Sequence, residues 1–138
     1  MFSGVSVLFN QDDEEESDRT IKTNRMGPWR WVRAAWPQLL NHGSGRIQML
    51  ASVSGKASRG CLAAYSISEF ALLGLCQTTR NQGQNDRIRV TVICPGWVDT
   101  DMDNSVLAEP SEFWPSPSIN TVAMTKPEDI ASISSLLY

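Results

Sequence analysis

Apolar side chains recur at helical spacing in two long segments, residues 14–41 and 63–82. In the first segment these positions are Ile21, Trp29, Val32, Trp36 and Leu40. A period of three to four residues predicts an amphipathic helix in each segment. Pro28 lies inside the first helix, where a proline should kink it or mark an early boundary.

Three shorter apolar runs predict strands at Val5–Phe9, Ile47–Ala51 and Ile88–Ile93, of which the last is the richest in β-branched residues. Strands and helices therefore alternate along the chain. This order is typical of an α/β fold in which helices cover a parallel sheet, here of about three strands.

Two segments have no regular period and predict loops, at residues 52–62 and 99–123. The second contains Pro110, Pro115 and Pro117, which disfavour a helix. Thr125–Glu128 then matches a capping box that opens a last helix over residues 126–138.

The composition indicates one globular domain over residues 1–138, with 41% hydrophobic and 20% charged residues. A net charge of −3 with scattered basic residues argues against a nucleic-acid partner. The sequence shows neither a signal peptide nor an apolar run that could span a membrane, so a cytoplasmic protein is expected. Reduced thiols are expected at Cys61, Cys76 and Cys94. His42 is the only histidine, which gives a metal site or a Ser-His-Asp triad little support.

Residues with possible chemistry follow two of the predicted strands. Ser52 ends one strand, and Pro95-Gly96 follows another. Tyr65 and Glu69 are four residues apart on a predicted helix, so they share a face. Ligands bind beyond the carboxyl ends of strands in open α/β sheets, which predicts a site at this edge.

Simpler interpretations of the same residues remain open. Ser52 also fits a hydroxyl that satisfies the end of a strand, and Tyr65 fits a packed helix tyrosine. Asn24 also fits a side chain that bonds locally to its helix, and Thr100 fits a loop hydroxyl without a ligand.

The order and spacing of several motifs resemble the short-chain dehydrogenase/reductase family. The motifs are Thr23-Asn24-Arg25-Met26-Gly27, Ser52, Tyr65-Ser66-Ile67-Ser68-Glu69, Pro95-Gly96-Trp97-Val98-Asp99-Thr100 and Pro127-Glu128-Asp129-Ile130-Ala131. The resemblance covers most of residues 17–138. It implies part of a Rossmann-like, doubly wound parallel sheet.

The resemblance also implies roles for individual residues. Ser52 would orient a substrate carbonyl, Tyr65 would act as the general acid or base, and Asn24 would support a proton-relay water. The cofactor, NAD or NADP, would lie against Pro95, Gly96, Val98 and Thr100. The substrate would be a small carbonyl compound or alcohol, under a substrate loop at residues 101–125.

The sequence departs from the family pattern at two places. Glu69 stands where the family has the lysine that lowers the pKa of the tyrosine. Two like charges about 4 Å apart repel by about 1 kcal/mol in water and by about 4 kcal/mol at an effective dielectric constant of about 20. Lys56, in the preceding loop, is an alternative source of positive charge. The family's Gly-rich cofactor turn is also absent from this sequence, so the N-terminal βαβ half is expected to be missing.

Two functions follow as hypotheses. The first is an NAD(P)-dependent oxidoreductase whose activity is impaired by Glu69 and by the lack of the Gly-rich turn. The second is a non-catalytic remnant or pseudoenzyme that acts through binding or dimerisation. The exposed apolar groups of Trp29, Trp31 and Trp36 would need an apolar partner, such as a second copy of the chain. The resemblance implies a homodimer through helices 14–41 and 63–82.

Overall fold

A long helical stretch begins the part of the chain that the computed structural model describes, which comprises residues 14–58, 63–102 and 124–137. Helix α1 spans Glu14–Ile21, a π-helical segment spans Lys22–Met26, and helix α2 spans Gly27–His42. The three pieces follow one another without a break, which confirms the helix predicted over 14–41. Gly43 ends the stretch with a φ of 72°, a left-handed conformation that glycine adopts without strain.

The π-helical segment ends at Met26, two residues before Pro28. Pro28 has no N–H to donate to the carbonyl four residues earlier, which belongs to Asn24, and its ring crowds the same group. The wider π turn accommodates the missing hydrogen bond and the crowding at the Asn24 carbonyl. Pro28 therefore marks an irregularity, but the helix continues through Pro28 and Pro37.

A parallel pair of strands forms the sheet of the described residues. Strand β1 spans Gly45–Leu50 and strand β2 spans Ile88–Ile93. Helix α3, Ala63–Gly83, connects them as a βαβ unit. These elements confirm the predicted α/β class, the helix over 63–82 and the strand Ile88–Ile93, while the other strand begins two residues earlier than predicted. The predicted strand Val5–Phe9 lies outside the described residues.

One face of the sheet packs on α3 through an apolar cluster. Its buried members are Met49, Ala51, Leu72 and Cys76, with Val32, Ile47, Val90 and Val92 among the partly buried residues around them. Leu72 is 4% exposed, and burying such a side chain contributes about 1.5–3 kcal/mol. This cluster fixes the orientation of α3 relative to the ends of both strands.

Burial in this cluster keeps one thiol neutral. Burial, and then the nearby Cys94, raise the pKa of Cys76 to about 11. The Cys76 thiol donates to Met49 Sδ over 3.0 Å. Cys76 and Cys94 are both free cysteines, while Cys61 lies outside the described residues.

The opposite face of β1 contacts helix α4, which spans Pro127–Leu136. Gln48 Nε2 donates to the Ser134 carbonyl over 3.0 Å, and Arg46 Nη1 donates to the Leu137 carbonyl over 2.6 Å. Successive side chains of a strand point to opposite faces, so Arg46 and Gln48 lie away from the apolar cluster. Helices therefore cover both faces of the sheet.

The start of α4 corrects the predicted cap by one residue. Lys126 is the N-cap, and its N–H donates to Asp129 Oδ2 over 3.1 Å. Thr125, which was expected to cap the helix with Glu128, instead lies in a parallel bridge with Val98. The backbone pairing of Thr125 therefore moves the helix start to Pro127.

Two further predictions fall partly outside the described residues. Loop 52–62 contains a short 3₁₀ turn at Val53–Gly55, and residues 59–62 of it are not described. Of the substrate loop 101–125, residues 103–123 are not described. Among the residues that are described, none of the helices has the length and apolar character needed to cross a membrane.

Candidate active site

The carboxyl ends of the two strands bring two sequence-predicted elements together. The Ala51 N–H donates to the Ile93 carbonyl over 2.8 Å, which extends the pairing by one residue beyond β1. The Val53 N–H then donates to the Pro95 carbonyl over 2.9 Å. Ser52 and the Pro95-Gly96 segment are therefore neighbours at one edge of the sheet, as the motif order predicts.

Ser52 sits at the junction between β1 and the 3₁₀ turn. Its backbone is extended, with a φ of −140°, and its Oγ accepts the Ser54 N–H over 3.1 Å. The hydroxyl hydrogen of Ser52 is still able to donate to another oxygen. The Ser52 hydroxyl thus caps the turn after β1. It also retains a hydrogen that could be donated to a substrate.

The turn Val53–Gly55 packs directly on α3 at Glu69. A Cβ added to Gly55 would lie 2.9 Å from the Glu69 carbonyl carbon and 2.9 Å from its oxygen. Real Cβ atoms do not approach backbone atoms this closely, so only glycine allows the contact. This contact sets the position of the helical turn that carries Tyr65 and Glu69.

Tyr65 lies near the start of α3, half-buried, with Glu69 one helical turn further on. The Tyr65 carbonyl accepts the Ser68 hydroxyl over 2.7 Å. Ser68 is fully buried, at 0% exposure, and Glu69 is 5% exposed. The side chains of Ser68 and Glu69 therefore belong to the interior of the site.

Asn24 reaches this interior from the π-helical segment. Its Nδ2 donates to Ser68 Oγ over 3.1 Å and lies 3.5 Å from Glu69 Oε1. These long-range contacts favour a site role for Asn24 over purely local bonding in its own helix. Sequence reasoning missed Ser68, although its position three residues after Tyr65 places it on the same face of α3.

The carboxyl group of Glu69 is poorly solvated. Burial raises its pKa from 4.5 to about 7, and the Ser52 backbone amide offsets part of this effect. Its Oε2 is buried and has no hydrogen-bond partner among the described residues. The sequence alone predicted a full negative charge beside Tyr65. Burial instead makes the neutral acid a major form near pH 7, which weakens that repulsion.

Lys56 does not replace the missing positive charge through an ion pair with Glu69. It is exposed, directly after the 3₁₀ turn. No ion pair joins Glu69 to another described residue. The lysine position of the family pattern is therefore occupied by a buried carboxyl that has no cationic partner among the described residues.

The segment after β2 is held by backbone pairing with Thr125. The Asp99 N–H donates to the Thr125 carbonyl over 2.9 Å, and the Thr125 N–H donates to the Trp97 carbonyl over 3.0 Å. In this pattern the Val98 peptide groups point away from Thr125. Thr100 follows, half-buried. Val98 and Thr100 thus follow Pro95 and Gly96 in the segment beyond the carboxyl end of β2.

The buried carboxyl gives a pH-dependent stability with a definite sign. Because the folded-state pKa of Glu69 is raised, the protonated group stabilises the fold fully below about pH 4.5 and loses this contribution as the pH rises through about 7. Glu69→Gln should therefore match the parent near pH 4.5 and exceed its free energy of unfolding by about 1–3 kcal/mol near pH 8. Urea unfolding at several pH values measures this difference.

Glu14→Gln, at an exposed position of α1, is the control for that experiment. A free-energy difference between Glu69→Gln and the parent that stays constant from about pH 4.5 to about pH 8 would contradict the raised pKa.

Comparison with known proteins shows similarity over most of the chain. The family model "short chain dehydrogenase" matches residues 3–111. Oxidoreductase UcpA of Salmonella typhimurium is 33% identical over 129 residues, which cover 91% of this chain and 49% of that protein. The chain thus spans about half the length of this relative.

Two solved structures share the fold at 26% sequence identity each, and each match covers 97% of this chain and 57% of the other. The TT0495 protein from Thermus thermophilus has a TM-score of 0.83. The 4-hydroxyisoleucine dehydrogenase complexed with NADH has a TM-score of 0.76. The helix-covered parallel sheet is accordingly a part of a Rossmann-like fold. By its family match and its site geometry, the chain belongs to the short-chain dehydrogenase family.

Proposed function

We propose that this chain carries the catalytic part of an NAD(P)-dependent oxidoreductase that interconverts a small carbonyl compound and a secondary alcohol. The observation that carries the proposal is the placement of Ser52, Pro95-Gly96 and the Tyr65 helix around one end of the sheet. The proposal places the reaction in the cytoplasm, in keeping with the free thiols of Cys76 and Cys94.

In this proposal Tyr65 gives a proton to the carbonyl oxygen during reduction and takes it back during oxidation. The Ser52 hydroxyl donates to the same oxygen and orients it for hydride transfer. The cofactor supplies the hydride when it is bound. Asn24 donates hydrogen bonds to Ser68 and Glu69, on the helix that carries Tyr65. In this proposal it therefore supports proton transfer at Tyr65.

Gly96 supports a cofactor position beside the end of β2. It is exposed, and a Cβ built on it would meet no atom of the described residues within 4 Å. The backbone at Gly96 is therefore open to a flat ring, which a larger side chain would hold away. Pro95, Val98 and Thr100 would line the rest of this position, and the proposal covers NADH and NADPH alike.

Glu69 makes the proposed activity weak. A tyrosine has a pKa near 10 in water, and a neighbouring ammonium would stabilise its anion. The neutral form of Glu69 supplies no positive charge, and its ionised form repels the tyrosinate. The deficit should be largest in alcohol oxidation, because that direction requires the tyrosinate as a base.

Restoring the cation tests this assignment. Glu69→Lys should raise the rate of alcohol oxidation by about 10- to 1,000-fold, as expected for a tyrosine pKa lowered by about 1–3 units. The rate is measured by nicotinamide absorbance over a panel of small secondary alcohols with NAD⁺ and NADP⁺. Tyr65→Phe in the Glu69→Lys background should abolish the gain.

Cofactor binding is followed separately by titrating NADH and NADPH fluorescence. Gly96→Val should weaken binding of the cofactor without changing thermal stability, because the added side chain meets open space in the protein. A Glu69→Lys chain that binds cofactor and shows no gain in rate would contradict the role of residue 69. Equal binding by Gly96→Val would contradict the cofactor position.

A non-catalytic role through self-association is a second candidate, favoured by exposed apolar groups on the two long helices. Trp31 is 77% exposed on α2, and Ile67 and Phe70 are 56% and 48% exposed on α3. Covering such groups in a second copy of the chain would remove apolar surface from water. Sedimentation velocity should then show a homodimer that Phe70→Glu dissociates, whereas a well-folded monomer would contradict this candidate.

A further inference from the structure

Four arginines line one cavity at the amino-terminal ends of the two strands. Arg46 and Arg89 are the second residues of β1 and β2, Arg87 directly precedes β2, and Arg80 lies near the end of α3. The cavity has a volume of about 900 Å³. It lies at the edge of the sheet opposite to Ser52 and Pro95, so it is separate from the proposed oxidoreductase site.

Two of these arginines are direct neighbours across the sheet. Arg46 and Arg89 are partners in the parallel register, which places their side chains on the same face about 5 Å apart at the backbone. Like charges opposite one another in a sheet destabilise it. The sequence offers fifteen acidic residues, but none of those described forms an ion pair with these arginines. An anion between them would remove the repulsion.

The guanidinium groups of two of the arginines are held in place by backbone carbonyls. Arg46 Nη1 donates to the Leu137 carbonyl over 2.6 Å, and Arg87 Nε donates to the Gly43 carbonyl over 3.0 Å. Each guanidinium has five N–H donors, so these bonds leave several for a ligand. Holding the groups in advance lowers the entropy cost of binding.

The backbone at Arg87 adds an independent observation. Its φ is 57°, and among the described residues it is the non-glycine residue with positive φ. Arg87 is the left-handed C-cap of the 3₁₀ turn Gln84–Asp86, a position where glycine or asparagine is the more common residue. The turn therefore places an arginine at the cavity.

None of the described residues that line the cavity carries a carboxylate. The other side chains that line it with polar groups are Ser44, Asn81, Gln84 and Thr91. Asp86 precedes Arg87 in the chain and is exposed, but it does not line the cavity. The cavity is thus a concentration of positive charge in a chain whose net charge is −3.

We propose that this cavity binds a small ligand through a pyrophosphate group. The guanidinium fork matches phosphate oxygens in pairs, which a single lysine ammonium does not do. Two neighbouring phosphates would contact Arg46 and Arg89 together, and Arg80 and Arg87 would add charge at the rim. A cavity of about 900 Å³ also admits a nucleoside diphosphate, so inorganic pyrophosphate and a nucleotide are the two sources of this group.

Isothermal titration calorimetry of the whole chain with inorganic pyrophosphate and with adenosine diphosphate tests the proposal. Both probes should bind, more weakly at higher salt. Tighter binding of adenosine diphosphate identifies a nucleotide site, and equal binding identifies a pyrophosphate site. Arg46→Gln and Arg89→Gln should each weaken binding by about 10-fold or more.

Two variants serve as controls. Arg30→Gln removes an exposed arginine of α2 and should leave binding unchanged. Gly96→Val should also leave it unchanged, which separates this site from the proposed cofactor position. Arg89 is exposed, so Arg89→Gln should keep the parent fold, which circular dichroism would check.

Three results would overturn the proposal. The first is no detectable binding of either probe at millimolar concentration. The second is an equal loss of affinity in Arg30→Gln and Arg89→Gln, which would indicate nonspecific attraction. The third is displacement of pyrophosphate by an acidic glutamate peptide at equal affinity, which would indicate a protein partner instead.

Discussion

The contact between the backbone of Gly55 and the backbone of Glu69 holds the candidate site together. It joins the turn that follows β1 to the helix that carries Tyr65, and it leaves no space for a side chain at Gly55. The Val53 N–H bond to the Pro95 carbonyl then ties the same turn to the segment after β2. The positions of the serine, the tyrosine and the Pro-Gly segment all depend on this one short turn.

The same packing determines the chemistry of residue 69. The Glu69 carboxyl accepts a hydrogen bond from the Ser52 backbone amide, directly before the turn at Val53–Gly55, and burial raises its pKa to about 7. A lysine at this position would carry a charge suited to stabilising a tyrosinate, whereas Glu69 carries none in its neutral form. The arrangement of the site favours proton transfer by Tyr65, whereas the charge at position 69 does not support it. The side chain of Glu69 alone causes this difference.

Much of the described fold follows from the sequence because its signals are local. The apolar period of α3 and the β-branched run Ile88–Ile93 predicted both elements at almost their observed bounds. The cap of α4 was wrong by one residue because the pairing of Thr125 with Val98 is a long-range contact that propensity does not encode. The π-helical segment before Pro28 was anticipated only as an irregularity.

The residues of the candidate site could be predicted from the sequence, but their burial and the pKa of Glu69 could not. The spacing of Ser52, Tyr65 and Pro95-Gly96 located the edge of the sheet that carries them. The burial of Ser68 and Glu69 depends on how the turn and the π-helical segment close over α3, which no single motif specifies. From the sequence, Glu69 therefore looked like an ordinary carboxylate.

The buried Glu69 carboxyl determines the electrostatics beside Tyr65, and its titration can be observed directly. Carbon-13 NMR of the chain, labelled at the glutamate carboxyl groups, would follow each signal from about pH 4 to about pH 9, with Glu69 identified by its loss in Glu69→Gln. A midpoint near 7 is expected for the Glu69 signal. A midpoint near the ordinary value of 4.5 would show that the carboxyl is ionised at neutral pH, and the account of Glu69 as a neutral, buried acid would be wrong.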